Sequence, residues 1–339
     1  MSEHDNTPQG PVLVVGGAGY IGSHTVRLLE SRGVETIVAD NLSTGHRSSV
    51  AGSFEQVDIG DREAIDRVFA KHEPRAVIHF AAKCYVGESV ENPSKYYREN
   101  VCYTWTLLEA MRAAGCNEIV FSSSCATYGN PVKVPMPDTH PQDPISPYGR
   151  TKLHMEHMME DYSVAYGMRT AALRYFNAAG AHPDGDLGEA HDPETHLIPL
   201  VLQVALGQRE KILVFGDNYD TPDGTCIRDY IHVLDLGDAH LRALAHLQSG
   251  ADRIACNLGT GDGYSVLELI ESARRVTGHP IPVEIVGPRA GDPPRLVSGG
   301  TRAKSELGWE AQHSSLDNIL ADAWRYHRRQ REGAGSSSA

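Results

Sequence analysis

The chain has 339 residues, of which 40% are hydrophobic and 22% are charged, which predicts a globular protein with a substantial core in one large or two ordinary domains. It contains no apolar run of about 18 residues, and residues 1–10 are polar. We therefore expect neither a membrane-spanning segment nor a secretory signal. The formal net charge of −13 argues against nucleic acid or an anionic membrane as a partner.

Short apolar runs alternate with helical patterns through the first half of the chain. This strict alternation predicts an α/β fold with a doubly wound, Rossmann-like parallel sheet. The predicted strands are Val12–Val15, Thr36–Ala39, Phe54–Val57, Ala76–Phe80, Ile119–Phe121 and Thr170–Tyr175. The predicted helices are Gly19–Ser31, Arg62–Lys71, Pro93–Ala114 and Pro147–Tyr166, with Asp235–Leu247 and Val266–Val276 later in the chain.

The regular alternation of strands and helices ends after about Asn177, where loop-rich stretches separate short helices. We expect the sheet domain to occupy residues 11–176. A smaller mixed C-terminal lobe is expected largely from 177–330, with some segments returning to the sheet. The polar ends, 1–10 and 331–339, are expected to be disordered tails.

The six cysteines are scattered, without a Cys-x-x-Cys pair. In a chain of this size they indicate reduced thiols of a cytoplasmic protein rather than a disulfide framework or a zinc site. Histidines and aspartates gather in one loop-rich stretch, but their spacing matches no common zinc motif. We expect these side chains to be solvated and to bind no metal. They are His182, Asp184, Asp186, His191, Asp192 and His196.

A glycine-rich motif, Gly16-Gly17-Ala18-Gly19-Tyr20-Ile21-Gly22, joins the first predicted strand to the first predicted helix. Glycines at this spacing permit a tight turn and let a pyrophosphate approach the N–H groups of the helix N-terminus. Asp40 ends the second strand, where a carboxylate accepts from a ribose 2′-hydroxyl and repels a 2′-phosphate. The pattern predicts NAD rather than NADP, although Arg47 lies close in sequence. Asp58 is either an acceptor for the adenine amine or an ordinary turn residue.

The dipeptide Ser146-Pro147 forms a good helix start and places Tyr148 and Lys152 one turn apart on the same face. A tyrosine, with an ordinary pKa of about 10, acts as a base near neutral pH only if a neighbouring positive charge stabilises its phenolate. The run Ser122–Ser124 ends the fifth strand, at the edge where doubly wound sheets bind ligands. Together, Tyr148, Lys152 and this serine run predict proton removal from an alcohol. The alternative is that Tyr148 and Lys152 occur by chance on an amphipathic helix.

These motifs resemble the extended short-chain dehydrogenase/reductase superfamily, and within it the UDP-glucose (UDP-galactose) 4-epimerases, from Val12 to about Trp324. Two long stretches are the most specific, since no general structural reason produces them: RYFNAAGAHPDGDLGE (174–189) and RDYIHVLDL (228–236). The other matching stretches are GGAGYIGSHT (16–25), ADNLSTG (39–45), VIHFAA (77–82), VGES (86–89), FSSSCATYG (121–129) and SPYGRTK (146–152).

The resemblance implies reversible C4 epimerisation of a UDP-sugar through a transient 4-keto intermediate, with tightly bound NAD. It implies catalytic roles for Tyr148, Lys152 and Ser124. Contacts with NAD are implied for Gly16, Gly19, Tyr20, Ile21, Gly22, Asp40, Asn41, Asp58, Ile59, Phe80, Ala81, Asn100, Tyr148, Lys152 and Tyr175. Contacts with the UDP-sugar are implied for Ser124, Asn177, His196, Arg228 and Arg289. The two arginines are assigned to the diphosphate by the same resemblance.

Some positions depart from the family pattern and leave alternatives open. Cys84 occupies the usual place of a lysine, with Lys83 one position earlier. Leu296 falls where residue size sets the acceptance of an N-acetyl sugar, and leucine is intermediate. Epimerases of UDP-N-acetylhexosamines or of UDP-xylose/UDP-arabinose therefore remain alternatives. A 4,6-dehydratase ranks lower because Cys125-Ala126 offers no acid, and a non-catalytic NAD-binding regulator has no need of the Tyr/Lys pair.

Two predicted helices, Pro93–Ala114 and Pro147–Tyr166, carry apolar faces beyond what one sheet requires. In the family these helices pair across a two-fold axis. The resemblance therefore implies a homodimer by four-helix packing. The alternative is that the lobe of the same chain covers these faces.

Overall fold

The computed structural model describes residues 7–289 and 292–336. Its strands alternate with helices over the first half of the chain and become shorter in the second half. In chain order the strands are β1 (Val12–Val15), β2 (Thr36–Asp40), β3 (Ser53–Gln56), β4 (Ala76–His79), β5 (Glu118–Ser124), β6 (Arg169–Tyr175), β7 (Asn177–Ala179), β8 (Ile212–Phe215), β9 (Ile227–Arg228), β10 (Tyr230–His232), β11 (Arg253–Leu258), β12 (Tyr264–Ser265), β13 (Val283–Val286) and β14 (Arg295–Leu296).

Seven of these strands form one parallel sheet, in the spatial order β11-β6-β5-β4-β1-β2-β3. β1, β2 and β4 are buried along their whole length, as their apolar sequences predict for a sheet covered on both faces. β1 lies in the middle, with Val12 opposite Thr36 of β2 on one side and Ala76 of β4 on the other. The predicted doubly wound sheet is confirmed.

Helices cover both faces of the sheet. Side chains of α1, α8 and α10 pack in the core on one face, and those of α2, α5 and α6 pack on the other. In chain order the helices are α1 (Tyr20–Ser31), α2 (Arg62–His72), α3 (Val86–Glu91), α4 (Pro93–Tyr96), α5 (Tyr103–Ala114), α6 (Pro147–Tyr166), α7 (Leu197–Ala205), α8 (Val233–Gln248), α9 (Val266–Thr277), α10 (Arg302–Leu307) and α11 (Leu316–Ser336).

The C-terminal lobe has a core of its own, formed mainly by α7, α9 and α11 with β8 and β13. Its strands form three small sheets, β10-β7, β12-β9-β14 and β13-β8. The second half of the chain is not confined to this lobe. α8 packs against α1, and β11 pairs in parallel with β6 at the edge of the central sheet.

The strand order creates a crevice in the middle of the sheet. From β1 the chain proceeds outward through β2 to β3 and then returns to β4 on the other side of β1. The connections that follow β1 and β4 therefore diverge at the carboxyl ends of these strands. Doubly wound sheets bind their ligands at such a reversal of strand order.

The structure differs from the sequence expectation in four places. The helix expected over Pro93–Ala114 contains a π-helical segment, Tyr97–Cys102, between α4 and α5. β11 was not among the predicted strands. Residues 331–336 continue α11 instead of belonging to a disordered tail. Gln9, in the other expected tail, is bound through its backbone N–H and carbonyl to Gln248 of α8. The remainder of those tails, 1–6 and 337–339, lies outside the described residues.

Among residues 7–289 and 292–336, no helix is both long enough and apolar enough to cross a membrane.

Candidate active site

A cavity of about 750 Å³ lies at the carboxyl ends of the central strands, where the crevice meets the C-terminal lobe. This volume falls within the ~300–1,000 Å³ that is usual for ligand pockets. As the described residues define it, the cavity wall includes every predicted site residue except Asn100, Arg228 and Arg289. Those present are Gly16, Gly19, Tyr20, Ile21, Gly22, Asp40, Asn41, Asp58, Ile59, Phe80, Ala81, Ser124, Tyr148, Lys152, Tyr175, Asn177 and His196.

The glycine motif forms the turn between β1 and α1. Gly16 has a φ of +80°, a conformation that strains residues other than glycine, and a Cβ there would lie 2.6 Å from the nitrogen of Ala81. A Cβ on Gly22 would lie 2.2 Å from the carbonyl oxygen of Gly16. The turn therefore presents bare backbone and the first N–H groups of α1 to the cavity, as a bound pyrophosphate requires.

Asp40 ends β2 at the cavity wall. One of its carboxylate oxygens accepts from the N–H of Ala18 at 3.0 Å, and the other accepts from the N–H of Leu42 at 2.8 Å. Because a carboxylate offers about four acceptor sites, Asp40 retains capacity for a ribose hydroxyl. The guanidinium of Arg47 lies 4.6 Å from the centre of the Phe54 ring. Arg47 is not part of the wall that the described residues form, and the discrimination of Asp40 against a 2′-phosphate stays a prediction.

Asn41, Asp58 and Ile59 continue the wall from Asp40. The carboxylate of Asp58 accepts from the Asn41 side-chain amide at 3.1 Å and from the N–H of Gly60 at 2.8 Å. These two hydrogen bonds fix the carboxylate just beyond β3. It can still accept from an amine such as that of adenine.

Tyr148 and Lys152 project into the cavity from the first turns of α6, and Ser124 lies beside them at the end of β5. The hydroxyl of Ser146 caps α6, which is why the helix begins here and not elsewhere in the loop. The Lys152 ammonium lies 6.0 Å from the centre of the Tyr148 ring and donates to the Ser122 carbonyl at 2.9 Å. The predicted catalytic group is therefore assembled on one strand end and one helix start.

Burial dominates the protonation of this pair. It raises the pKa of Tyr148 well above its ordinary value, Cys84 and Tyr175 add to this rise, and the hydroxyl of Ser124 opposes it. Burial also lowers the pKa of Lys152 to about 8. Desolvation of the pocket is therefore the largest influence on the phenol, and the lowering of its pKa by Lys152 stays a prediction. A further positive charge beside the phenol is needed to favour the phenolate.

Asn100 lies behind the cavity wall and is fully buried. Its side chain accepts from the N–H of Lys83 at 2.8 Å and donates to the carbonyl of Lys83 at 3.0 Å. Asn100 thus positions the loop after β4, and its implied contact with NAD stays a prediction. Lys83 and Cys84 both line the cavity. The Lys83 ammonium donates to the Ser43 hydroxyl at 3.0 Å and lies 3.6 Å from Glu99.

The two arginines implied for a diphosphate lie outside the cavity wall as the described residues form it. Arg228 is paired with Asp292, which does line the cavity, and donates to the carbonyl of Pro293 at 2.9 Å. Arg289 is exposed, with its guanidinium 3.9 Å from the centre of the Phe215 ring. The expected pair of guanidinium groups facing the cavity is therefore not formed in this structure.

His196 on the lobe side of the cavity belongs to a group of four side chains. Its Nδ1 lies 2.9 Å from carboxylate oxygens of both Glu189 and Glu194, and the Nδ1 of His191 lies 3.1 Å from Glu189. Only 7% of the Glu189 side chain and 8% of the Glu194 side chain are exposed. The expectation of a solvated loop residue is therefore wrong for His191, of whose side chain 17% is exposed, and not for His196, of whose side chain 44% is exposed. Sequence reasoning missed both glutamates, although Glu189 ends one of the most specific matched stretches.

Comparison with known proteins identifies the family to which the chain belongs. Residues 12–259 match the family described as "NAD dependent epimerase/dehydratase family". A UDP-glucose 4-epimerase of Rhizobium leguminosarum bv. trifolii is 53% identical over 317 residues, which cover 93% of this chain and 97% of that protein.

Solved structures agree with the sequence comparison. A crystal structure of UDP-glucose 4-epimerase from Brucella ovis in complex with NAD superposes with a TM-score of 0.91 at 54% identity, covering 92% of this chain and 97% of that one. The UDP-glucose-4-epimerase of Stenotrophomonas maltophila, with bound NAD and formylated UDP-arabinopyranose, superposes with a TM-score of 0.93 at 40% identity, covering 96% of this chain and 100% of that one.

Proposed function

The chain belongs to the NAD-dependent epimerase/dehydratase family, and we propose that it interconverts UDP-galactose and UDP-glucose by inverting C4, with NAD tightly bound. One observation carries this proposal: Tyr148, Lys152 and Ser124 meet the glycine motif in a single cavity. An alcohol carbon bound there contacts a proton acceptor and the coenzyme site at once. The UDP-glucose 4-epimerases among the relatives support the reaction, and their NAD-bound structures support the coenzyme.

The residues present fit NAD. Gly16 and Gly22 permit the close backbone contacts of the tight turn, which a Cβ would prevent, and α1 begins there with N–H groups free to donate to a pyrophosphate. Asp40 is suited to the adenosine ribose, and Asp58 to the adenine amine. Lys152, near the start of α6, is suited to the hydroxyls of the nicotinamide ribose. The chemistry supplied by bound NAD⁺ is acceptance of the C4 hydride and its return, so the cycle needs no net oxidant.

Tyr148 is the proton acceptor for the sugar 4-hydroxyl. The Ser124 hydroxyl lowers the pKa of the phenol while burial raises it, so Ser124 both orients the substrate hydroxyl and stabilises the phenolate. The Lys152 ammonium adds positive charge on the same side of the cavity. As the 4-hydroxyl becomes a ketone its proton passes to Tyr148, and the same phenol returns the proton once the sugar has turned to its other face.

The diphosphate of the substrate is held on the lobe side of the cavity. Arg228 is paired with Asp292, and a phosphate is a bidentate acceptor of the same kind as a carboxylate. We infer that the diphosphate replaces Asp292 as the partner of Arg228. Arg289, whose carbonyl accepts from the N–H of Asp292 at 3.3 Å, approaches the diphosphate with the same loop. This exchange brings two guanidinium groups to the diphosphate and releases the carboxylate of Asp292, which is 29% exposed, to water.

The proposed reaction is tested by incubating the purified protein with UDP-galactose and no added NAD, and measuring UDP-glucose by chromatography. We expect an equilibrium mixture to form, since the coenzyme remains bound through the cycle. Activity that requires added NAD would contradict tight binding. Absence of product with added NAD would overturn the reaction.

Sugar selectivity is tested with UDP-glucose, UDP-N-acetylglucosamine and UDP-xylose. Leu296 lines the cavity and is larger than the small residues that admit an N-acetyl group. We therefore expect UDP-glucose to be preferred. A kcat/KM for UDP-N-acetylglucosamine or UDP-xylose equal to that for UDP-glucose would assign the chain to one of the alternative specificities.

We also infer a homodimer in a reducing compartment such as the cytoplasm. α5 and the π-helical segment leave Trp105 and Tyr97 exposed, by 53% and 36%, and the end of α6 leaves Val164 and Tyr166 exposed. Large apolar side chains on neighbouring helices are typical of a surface that packs against a second copy. All six cysteines are free, as they are in proteins kept under reducing conditions.

A further inference from the structure

Four side chains from the short segment 189–196 converge on one point in the wall of the cavity. They are two imidazoles, of His191 and His196, and two carboxylates, of Glu189 and Glu194. Their ligand atoms all lie within 4.8 Å of one another. Nothing in the proposed epimerisation requires this convergence, because the reacting groups lie on β5 and α6.

The separations between these atoms match those around a four-coordinate metal ion. Bonds of about 2.0–2.1 Å to zinc in a tetrahedron place neighbouring ligand atoms about 3.3 Å apart. The Nδ1 of His196 is 2.9 Å from Glu189 and 2.9 Å from Glu194. The Nδ1 of His191 is 3.1 Å from Glu189 and 3.8 Å from Glu194. These four nitrogen–oxygen distances lie on both sides of the tetrahedral value.

Hydrogen bonds among the four groups do not satisfy both imidazoles. The Nδ1 of His191 is buried and has no hydrogen-bond partner among the residues that the structure describes, although Glu189 lies 3.1 Å away. The nitrogen is therefore not aligned with that oxygen. The Nδ1 of His196 lies at the same short distance from two carboxylates and can carry only one proton. The buried Nδ1 of His191 and the Nδ1 of His196, both turned toward two carboxylates, are better served by a cation between them.

We propose that Glu189, His191, Glu194 and His196 bind one divalent transition-metal ion of the zinc class. Two imidazole nitrogens disfavour Mg²⁺ and Ca²⁺, which prefer oxygen ligands, whereas imidazole suits Zn²⁺ and its neighbours. The two carboxylates neutralise the two charges of the ion. The Glu194 carboxylate is held in place by the N–H groups of Thr195 and His196, at 2.7 and 2.8 Å, as ligating carboxylates usually are.

The site is structural, because four protein ligands fill a tetrahedral ion and leave no position for substrate. The ring of His191 lies edge-on to Tyr20 of the glycine motif, with ring centres 6.5 Å apart, and to Tyr85, with ring centres 6.2 Å apart. The ion therefore holds segment 189–196 next to the coenzyme site. Coordination through Nδ1 leaves the Nε2 of His196 as an N–H donor, so His196 still serves the substrate side of the cavity.

The experiment uses full-length, untagged protein with its NAD, treated with a chelator and then titrated with Zn²⁺ by calorimetry and with Co²⁺ by visible absorption. We expect one ion per chain and the visible spectrum of tetrahedral Co²⁺. His191→Ala is expected to weaken Zn²⁺ binding at least ~10-fold. The matched control is His182→Ala, because His182 lies in a neighbouring group with Asp184 and Asp186; Zn²⁺ binding is expected to be unchanged.

Zn²⁺ should also raise the melting temperature of the wild type and not that of His191→Ala, since a ligand that binds only the folded state stabilises it. If His191→Ala does not fold, Glu194→Gln provides the same comparison with the side-chain volume preserved. The absence of saturable binding to the wild type would overturn the proposal. Equal Zn²⁺ affinity of the wild type, His191→Ala and Glu194→Gln would overturn it as well. Neither result depends on which sugar the enzyme accepts.

Discussion

At the scale of single residues, substitution of Tyr148 is expected to have the largest effect on turnover. Its phenol is the proton acceptor in the proposed reaction, and its removal leaves the glycine turn and Asp40 in place. Tyr148→Phe is expected to retain NAD but to lower kcat by about 10²–10⁴-fold, the usual contribution of a positioned acid–base group. The measurements are turnover of UDP-galactose and the absorbance of released coenzyme. Tyr162→Phe, near the end of the same helix and with its hydroxyl donating to Glu109, is the control. Near-normal turnover in Tyr148→Phe would remove the phenol from the mechanism.

Lys152 gives a second residue-scale prediction, because burial lowers its pKa to about 8. Below pH 8 the folded protein carries a buried charge that the unfolded chain, with a lysine pKa of about 10.4, holds in water. Between about pH 8 and 10 the unfolded state binds more protons, so stability rises with pH through this window. Relative to Lys152→Met, the wild type should gain about 3 kcal/mol in unfolding free energy across it.

The measurement for Lys152 is urea unfolding of both proteins at several pH values from 7 to about 10.5. Groups other than Lys152 titrate alike in the two proteins, so the difference between them isolates the ammonium. Two curves that stay parallel over this range would show that Lys152 has an ordinary pKa in the folded protein.

The residues that sequence reasoning found are those whose geometry is local. Gly16 and Gly22 lie in one strand–turn–helix unit, and Tyr148 and Lys152 lie one turn apart, so spacing alone brings each pair together. Arg228 was assigned to a diphosphate by resemblance, but its partner Asp292 comes from a distant segment that no spacing links to it. Glu189 and Glu194 were missed for a related reason. Their convergence depends on the path of a loop, for which the sequence has no periodic signal.

At the scale of elements, a buried ion pair fixes α6 against the sheet. Glu156, one turn beyond Lys152, accepts from the Arg174 guanidinium at 2.6 Å and also binds the hydroxyl of Ser123. These contacts join the catalytic helix to β5 and β6, next to Ser124. The spacing between Ser124 and the α6 residues therefore depends on a pair that itself contacts no substrate.

Glu156→Ala is expected to destabilise the protein by about 3–5 kcal/mol, because it leaves the charge of Arg174 buried and unpaired. Glu160→Ala is the control on the same helix. Glu160 pairs with Arg253 at the surface, where both side chains are about half exposed, and such pairs contribute roughly 0–1 kcal/mol. Denaturant unfolding measures both. Equal losses in the two variants would show that the Glu156–Arg174 pair does not hold α6.

The elements of the first half were predictable because each one repeats a simple pattern. The unbroken apolar run of β1 and the capped start of α6 specify their elements without help from the rest of the chain. The π-helical segment Tyr97–Cys102 has no such signal, because its sequence continues a helical pattern and only the hydrogen-bond spacing changes. β11 was missed because its sequence, RIACNL, mixes polar and apolar residues and lacks the unbroken apolar run of β1.

At the scale of the whole molecule, the exposed faces of α5 and α6 predict assembly. Trp105→Glu places a charge on the inferred helix interface and should convert a dimer to a monomer. Val132→Glu is the control, since Val132 is a more exposed apolar side chain, at 77%, on a different segment. Sedimentation equilibrium distinguishes the two states. A wild type that sediments as a monomer would contradict the inferred dimer, and a dimeric Trp105→Glu would place its interface elsewhere.

Because β11 pairs with β6, the sheet of the first half of the chain is completed only when the second half has been synthesised. Until residues 253–258 have left the ribosome, β6 has an open side that can pair with a strand of another chain, and the face that α8 covers remains in water. A fragment that ends at residue 176 is therefore expected to aggregate, whereas co-expression with the remainder should restore solubility, as measured by the soluble fraction in each case. Residues 11–176 therefore cannot complete the central sheet by themselves, because its edge strand β11 is synthesised later.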